Sequence, residues 1–329
     1  MARQLFIALA AGLTAALLFA SALTGPAGTL LVYLASLPIF IASLGWGWIT
    51  GALASLVFTL AIAIGVAPLL SLIPLLTLAL PALWLSRLAL LARPADEADP
   101  NSDLEWYPAG LLLVWTAGLA IAIAVLGLAA AATLGPDLRT DFETTLVEGV
   151  EAFRTQNPNL FDPAVESAAI AAIMVQIVPI AAAMSWAVML LANYALARRI
   201  TVASGLSRRP LTPLSEIRLP AYAAHALALT VIASFLPIGV LATVASIIVA
   251  VLLVIFTING LSAIHALSLG NPARGLMLIC LYVALALLGW IAFLVAIFGV
   301  VDALADIRGR AGSPPTPPSP HSRADDDDT

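Results

Sequence analysis

The sequence predicts an all-α fold, a polytopic transmembrane helical bundle of eight to nine membrane helices. Of its 329 residues 62% are hydrophobic and only 10% are charged, whereas a soluble domain carries roughly a quarter charged residues. Crossing a bilayer core takes about 20 apolar residues, and runs of that length recur along the chain. The first expected partner is therefore the lipid bilayer.

Each apolar run is assigned a helix. The first could be a signal peptide, but its apolar stretch exceeds the roughly 7–15 residues of a signal core, so we predict a retained helix. Trp106 and Tyr107 before Pro108 form an interfacial anchor and a first-turn proline. The predicted helices are 5–23, 27–44, 46–66, 68–91, 107–134, 164–197, 219–240, 242–267 and 273–301.

Polar segments divide the chain. An acidic linker at 93–106 separates a four-helix membrane part, 1–92, from a five-segment membrane part, 107–310. The tail 311–329 is rich in Pro, Ser and Asp, a composition that cannot build a packed core and predicts disorder.

The segment 135–163 carries a helical pattern of apolar residues. Five of them recur every three to four positions, which indicates an amphipathic helix. Two interpretations stay open, a helix resting on the membrane surface or a lid over a binding site. The five residues are Leu138, Phe142, Leu146, Val150 and Phe153.

Orientation follows from the Arg-rich loop 198–218, which contains Arg198, Arg199, Arg208, Arg209 and Arg218. The positive-inside rule makes this loop cytoplasmic. All fourteen basic residues are Arg and none is Lys, which we interpret as the codon bias of a GC-rich bacterial genome, so we expect a multi-pass protein of the bacterial inner membrane. The segment 135–163 is then external. Three further crossings would place the tail outside, unless one segment after 219 is re-entrant. Both alternatives stay open.

Motifs for catalysis are missing from the sequence. It has no HExxH, GxSxG or phosphate-loop pattern, and no carboxylate in the middle of a predicted helix. His225 and His265 lie on different helices without neighbouring acids or Cys, which argues against a metal site. The net charge of −5 includes a terminal Asp run, and no basic surface for nucleic acid emerges. We expect a non-enzymatic protein without a cofactor.

Scattered polar residues within the later helices are the candidate ligand-binding set. They could line a cavity for a small neutral ligand, or they could form hydrogen bonds between helices, which is the commoner use in membranes. They are Gln176, Asn193, Tyr222, His225, Asn259 and His265.

Small residues recur every four positions along the first helix, at Ala8, Gly12, Ala16 and Ala20. We call them the small-residue ridge. Such a ridge allows close backbone approach in lipid. It is either a docking face for another subunit or ordinary internal packing.

Acidic residues end the last apolar segment. Asp302 and Asp306 lie at the negative end of a helix dipole, where carboxylates are unfavourable. Arg308 and Arg310 complete a candidate structural ion-pair group, with Arg310 placed to offset Asp306. Either this is a solvated helix end, or Asp302 pairs with an arginine of 198–218 and clamps the last helix there.

Three stretches resemble the YybS-like family of uncharacterised bacterial membrane proteins: "LPIFIASLGWGWITGAL", "INGLSAIHALSLG" and "FGVVDALADIRGR". In the last, Gly299, Asp302, Asp306 and Arg308 match the family's terminal pattern. More distantly the chain is similar to substrate-capture subunits of energy-coupling-factor transporters. That resemblance implies a first-helix face that docks a coupling subunit, here the small-residue ridge.

Two functions are compatible with these observations. The leading one is a substrate-capture or auxiliary subunit of a transporter, with coupling subunits as partners. The alternative is a membrane scaffold or morphogenesis factor that binds other membrane proteins. Substrate capture predicts a polar cavity of about 300 Å³ or more, whereas a scaffold predicts a dry core of small residues.

Overall fold

A computed structural model describes residues 1–96, 102–133, 136–158, 160 and 166–312. This part of the chain is helical apart from two short strands and the connecting turns, so the predicted all-α bundle is confirmed. Seven helices in the described residues are long and apolar enough to cross a membrane. The predicted tail falls, from residue 313 onward, outside the described residues.

The described residues contain fourteen α-helices. They are α1 Ala2–Ala20, α2 Pro26–Val32, α3 Leu37–Trp46, α4 Trp48–Gly65, α5 Leu72–Pro74, α6 Leu80–Ala89, α7 Ala109–Thr133, α8 Pro136–Gln156, α9 Ser167–Ala203, α10 Ala221–Ser234, α11 Gly239–Leu267, α12 Arg274–Leu287, α13 Ile291–Ala305 and α14 Ile307–Gly312. A π-helical turn, Leu75–Ala79, joins α5 to α6, and 3-10 turns lie at Ser21–Thr24 and Leu214–Glu216.

The second predicted helix is discontinuous. Its two halves, α2 and α3, are separated by turns at residues 33–36. Pro38 lies in the first turn of α3, where its missing N–H would have had no intrahelical partner. The proline therefore suits the start of a new helix better than the interior of a long one.

The last predicted helix, 273–301, is also two helices, α12 and α13, separated at Leu288–Trp290. This corrects the prediction of a single span. Leu288 leaves the helical region with φ −123° and ψ 75°. With 14 and 15 residues, α12 and α13 are each about 21–22 Å long at the α-helical rise. Each is too short to cross a hydrocarbon core of about 30 Å.

Both ends of this pair lie at the same end of the bundle, which we call the arginine end because the loop 198–218 forms it. Arg274, at the start of α12, donates from Nε to Ser268 Oγ at the end of α11, at 3.3 Å. After α13, Arg308 donates to the carbonyls of Ser215 and Ile217 in that loop. The segment α12–α13 is therefore a re-entrant hairpin.

The hairpin selects between the two alternatives for the C-terminal side. α10 leaves the arginine end and α11 returns to it, because Leu219 just before α10 contacts Asn259 near the end of α11. The seven helices long enough to cross a membrane already include the discontinuous second span, and the described part adds three shorter apolar helices, α10, α12 and α13. The described C-terminus then lies at the arginine end.

The predicted linker contains a short antiparallel pair, β1 Ala92–Pro94 and β2 Leu104–Trp106. An exposed ion pair, Arg93 Nη2 to Glu105 Oε2 at 2.8 Å, crosses it. The division at this linker stays a prediction. One hydrophobic cluster joins Phe40 and Leu85 from the first part to Leu190 from the second.

The helix predicted within 135–163 is α8, which packs against the start of α9. Val150 is buried in this contact, and the Glu151 carboxylate accepts a hydrogen bond from the Ser167 hydroxyl. Phe142 and Phe153 are exposed. Neither the lid nor the surface-helix interpretation is decided by these contacts. The side chain of Leu138 lies outside the described residues.

The small-residue ridge packs inside the chain. Ala8, Gly12 and Ala16 are buried, and Ala20 is half-buried. A Cβ on Gly12 would lie 2.6 Å from the Ala54 carbonyl oxygen of α4. This corrects the docking interpretation, because the chain's own fourth helix occupies the surface that a partner would need.

Candidate functional site

Two of the stretches that carry the family resemblance meet at the arginine end, where α11 and α13 run in parallel. A Cβ on Gly260 would overlap the Val295 carbonyl, and one on Gly299 would overlap the Phe256 carbonyl. Thr257 donates to the Ala292 carbonyl and Asn259 to the Gly299 carbonyl, so positions rise together along the two helices, whose axes are therefore parallel. Glycine at both positions allows the backbones to touch, as in small-xxx-small helix pairs.

Beside these glycines lies a buried polar cluster, the polar lock, formed by Asn259, Ser262, Asp302 and Arg308. Arg308 Nη2 lies 2.7 Å from Asp302 Oδ2, with 3% and 4% of the two side chains exposed. Arg308 Nε donates to the same carboxylate at 3.1 and 3.2 Å. This two-point geometry is the strong form of an arginine–carboxylate pair.

The rest of the guanidinium is also paired. Nη1 donates to Ser262 Oγ at 2.7 Å and to the Ile217 carbonyl at 2.9 Å. Nη2 reaches Asn259 Oδ1 at 3.3 Å, and the Asn259 amide donates to Asp302 and to the Gly299 carbonyl. An ion pair saturated in this way is a structural joint between α11, α13 and the loop, with no hydrogen-bonding group left for a substrate.

These contacts correct the expected clamp. Asp302 pairs with Arg308, not with an arginine of 198–218. The loop is held instead by Asp306, whose Oδ1 lies 2.6 Å from Arg218 Nη1 in an exposed pair. Asp306 ends α13 in the left-handed conformation, φ 44°, which turns the chain so that Arg308 points back at Asp302. Arg310 is exposed.

Two arginines of the loop are themselves buried. Arg198 donates from Nη1 to the Arg209 carbonyl at 3.1 Å, and Arg209 donates from Nη1 to the Ala89 carbonyl at 3.1 Å. Burial lowers the pKa of the Arg209 guanidinium, but an arginine stays protonated in proteins. Its charge at the last carbonyls of α6 is favourable for the helix dipole. The loop is thus fastened to the first half of the chain.

The helix break at 33–36 faces α9. Asn193, 2% exposed, donates from Nδ2 to the Tyr33 carbonyl at 2.6 Å and to the Met189 carbonyl at 2.8 Å. The amide thus satisfies a backbone oxygen that the interrupted helix leaves free. Asn193 Oδ1 and the hydroxyls of Ser36 and Ser43 are buried without a hydrogen-bond partner. Native structures rarely tolerate such atoms without a reason.

A groove of about 500 Å³ opens at this break. Its volume is typical of small-molecule sites, which are mostly apolar with a few placed polar groups. Several of its side chains face the outside of the bundle, so the groove is open toward lipid. It is lined by Tyr33, Leu34, Met184, Ser185, Val188, Met189, Ala192, Asn193 and Leu196.

The six candidate polar residues are not brought together. Asn193 lines the groove and Asn259 belongs to the polar lock. His265 is half-buried, with Nδ1 2.9 Å from the Leu261 carbonyl and its ring edge-on to Tyr282. The remaining three, Gln176, Tyr222 and His225, are exposed.

Sequence reasoning missed the pairing of Asn193 with Tyr33. The sequence places Pro38 inside the predicted helix 27–44, where a proline can kink a helix, but a backbone carbonyl freed by a break has no signature of its own. In the described residues no group of three or more His, Cys, Asp or Glu side chains is placed to hold a metal ion.

Comparison with known proteins gives one match. No curated protein and no solved structure matches the chain. Residues 12–303 match a family model whose description is "Predicted membrane protein (DUF2232)". The match covers most of the chain, including the groove and Asp302 of the polar lock. The chain therefore belongs to the DUF2232 family of membrane proteins.

Proposed function

We propose that this protein captures an amphipathic solute from the bilayer, as a substrate-capture or auxiliary subunit of a transporter. The observation that carries the proposal is the groove at the helix break, where Asn193 holds the Tyr33 carbonyl. In this proposal the chain is non-enzymatic, and energy comes from coupling partners.

Membrane physics supports a role for the break. Backbone groups outside a helix are tolerated at membrane depth only where protein or a cavity covers them, since lipid offers no hydrogen bonds. Discontinuous helices line the binding sites of many transporters. Here the break, the unpaired Asn193 Oδ1 and the groove coincide, which is the combination that ligand binding would explain.

The groove differs from the polar cavity that the sequence predicts for substrate capture. It is open and mainly apolar, which favours a solute that partitions into lipid over one that arrives from water. The proposed orientation places the arginine end in the cytoplasm, because it carries the Arg-rich loop. The groove would then lie in the inner-leaflet half of the membrane.

The scaffold alternative has its own support. The contacts of α1 with α4 and of α11 with α13 are close and built on Gly12, Gly260 and Gly299, as expected for a rigid bundle that binds other membrane proteins. The likeness to the energy-coupling-factor subunits belongs to the capture proposal, but its docking face would have to be a surface other than the small-residue ridge.

The test is direct binding of radiolabelled oleyl alcohol to the full chain in phosphatidylcholine nanodiscs. Val188→Trp fills the groove from its exposed wall, so we expect at least a tenfold loss of affinity, equivalent to about 1.4 kcal/mol. Val283→Trp places the same side chain on an exposed position of α12, away from the groove, and should leave binding unchanged.

Two outcomes would overturn capture in this groove. One is wild-type binding no stronger than that of empty nanodiscs. The other is equal binding by the two tryptophan variants. Either result, with normal folding, would leave the scaffold as the better description.

A further inference from the structure

One face of α9 continues the groove to the arginine end. Val188, Ala192 and Leu196 line the groove, and Arg199 follows on the same stripe, because residues three to four apart share a helix face. Arg199 is exposed. At the α-helical rise it lies about 10 Å along the axis from Ala192.

The charge of Arg199 is not neutralised by a neighbour. None of the ion pairs among described residues includes it, in contrast to Arg218 and Arg308. The neighbouring Arg198 points into the protein and donates to the Arg209 carbonyl. Arg199 is therefore an exposed guanidinium without an ion-pair partner among the described residues, three positions beyond the groove residue Leu196, with Tyr282 of α12 within range of its charge.

Resting on the proposed capture function, we infer that the groove takes an anionic amphiphile, with its apolar chain along α9 and its phosphate or carboxylate on Arg199. The groove supplies the apolar walls, and the guanidinium supplies paired donors that match either headgroup. Basic groups between membrane helices on the cytoplasmic side are suited to anionic lipid headgroups.

The depths of Arg199 and of the groove in the membrane fit an amphiphile whose headgroup lies at the membrane–water interface. Arg199 lies near the end of α9, four residues before its last residue, Ala203, where a long cationic side chain can reach the headgroup layer. The groove lies deeper, where an acyl or isoprenoid chain would lie. Asn193 lines the groove, and its Oδ1 has no hydrogen-bond partner. A donor on the ligand's apolar chain at this depth would be able to hydrogen-bond to it.

The experiment compares oleyl phosphate with oleyl alcohol, two probes that share a chain and differ in the headgroup, in phosphatidylcholine nanodiscs holding the full protein. We expect the wild type to bind the phosphate about tenfold or more tightly, the size of one charged hydrogen bond. Arg199→Gln should abolish this ratio and leave alcohol binding unchanged. Arg208→Gln removes another exposed arginine of the arginine end and should preserve the ratio.

The outcomes separate this inference from the capture function. Equal affinity of the wild type for both probes overturns the headgroup assignment, while alcohol binding that is lost in Val188→Trp still supports capture. An equal fall in the phosphate-to-alcohol affinity ratio in Arg199→Gln and Arg208→Gln also overturns the headgroup assignment, because it would indicate that the general positive charge of this surface attracts the phosphate. Oleate in place of oleyl phosphate then tells a carboxylate preference from a phosphate preference.

Discussion

Arg308 reaches back across the end of α13 to grip Asp302, with 2.7 Å between Nη2 and Oδ2 and both side chains almost fully buried. This ion pair depends on Asp306, which lies between the two residues in the sequence. The left-handed backbone conformation of Asp306 reverses the direction of the chain. A short C-terminal segment therefore fixes the last helix to α11 and to the arginine loop.

Removing the carboxylate charge should destabilise the protein strongly. Asp302→Asn leaves the Arg308 guanidinium buried without its counter-charge, which typically costs about 3–5 kcal/mol. We expect a clearly lower unfolding midpoint in detergent. Asp306→Asn is the control, since its pair with Arg218 is more than half exposed and such pairs contribute about 0–1 kcal/mol. Equal effects of the two substitutions would show that the polar lock is not the stabilising contact.

The glycine contact between α11 and α13 should not tolerate a methyl group. In Gly299→Ala the new Cβ would overlap the Phe256 carbonyl, so the helices must separate and the polar lock must stretch. We expect a loss of about 1–3 kcal/mol, the usual range for overpacking. Gly127→Ala, in α7 with open space around it, should be neutral or stabilising because alanine favours helix. A stable Gly299→Ala variant would contradict the close contact.

A bulky residue in the small-residue ridge should prevent folding rather than only partner binding. Gly12→Leu places its side chain against Ala54 and Val57 of α4. We expect low expression and aggregation on detergent extraction. Size-exclusion chromatography measures both the yield and the aggregated fraction. Gly118→Leu, at an exposed helix position, is the matched control. A folded Gly12→Leu monomer that loses a co-purifying subunit would restore the docking interpretation.

The Asn193 amide should stabilise the helix break. Asn193→Ala leaves the Tyr33 carbonyl without its 2.6 Å donor, and an unsatisfied buried group costs about 1–3 kcal/mol. The unfolding midpoint in detergent should fall accordingly. Gln176→Ala, an amide exposed on the same helix, should have no effect. If both variants unfold alike, the break is held by packing alone.

The re-entrant hairpin makes a prediction about sidedness. In a Cys280→Ala background, Ser204→Cys in the arginine loop and Ala311→Cys after α13 should behave alike. With the proposed orientation both are protected from impermeant thiol reagents in intact bacteria, whereas Thr144→Cys in α8 is labelled. Labelling of position 311 together with 144, but not 204, would mean that 274–305 crosses the membrane.

Much of the bundle could be predicted from the sequence because apolar length decides what crosses a bilayer. The spans at α4, α7 and α11 fall close to their predicted bounds. The break at Leu288–Trp290 could not be predicted, since it occurs inside an uninterrupted apolar run. The break at 33–36 lies beside Pro38, but a proline does not show where the helix is interrupted. Hydropathy measures partition into lipid and carries no information on whether the backbone stays helical.

The candidate site was predictable only in part. Asp302 and Arg308 were recognised as charges that need partners, but their pairing depends on the turn at Asp306, an uncommon conformation for a non-glycine residue. Asn193 and Asn259 looked alike in the sequence. Their different roles follow from tertiary structure alone. Asn193 donates to the Tyr33 carbonyl at the helix break, whereas Asn259 donates to Asp302 of the buried ion pair.

The hairpin also constrains how the protein is assembled. Neither α12 nor α13 has the roughly 20 residues that a membrane span requires. The hairpin must therefore enter along a surface already built by α11, which α13 packs against, after the long spans are in place. A chain that stops before Arg308 would contain every crossing and still lack the residue that latches the hairpin. Completion of the fold thus depends on Arg308, which follows every membrane helix of the described residues.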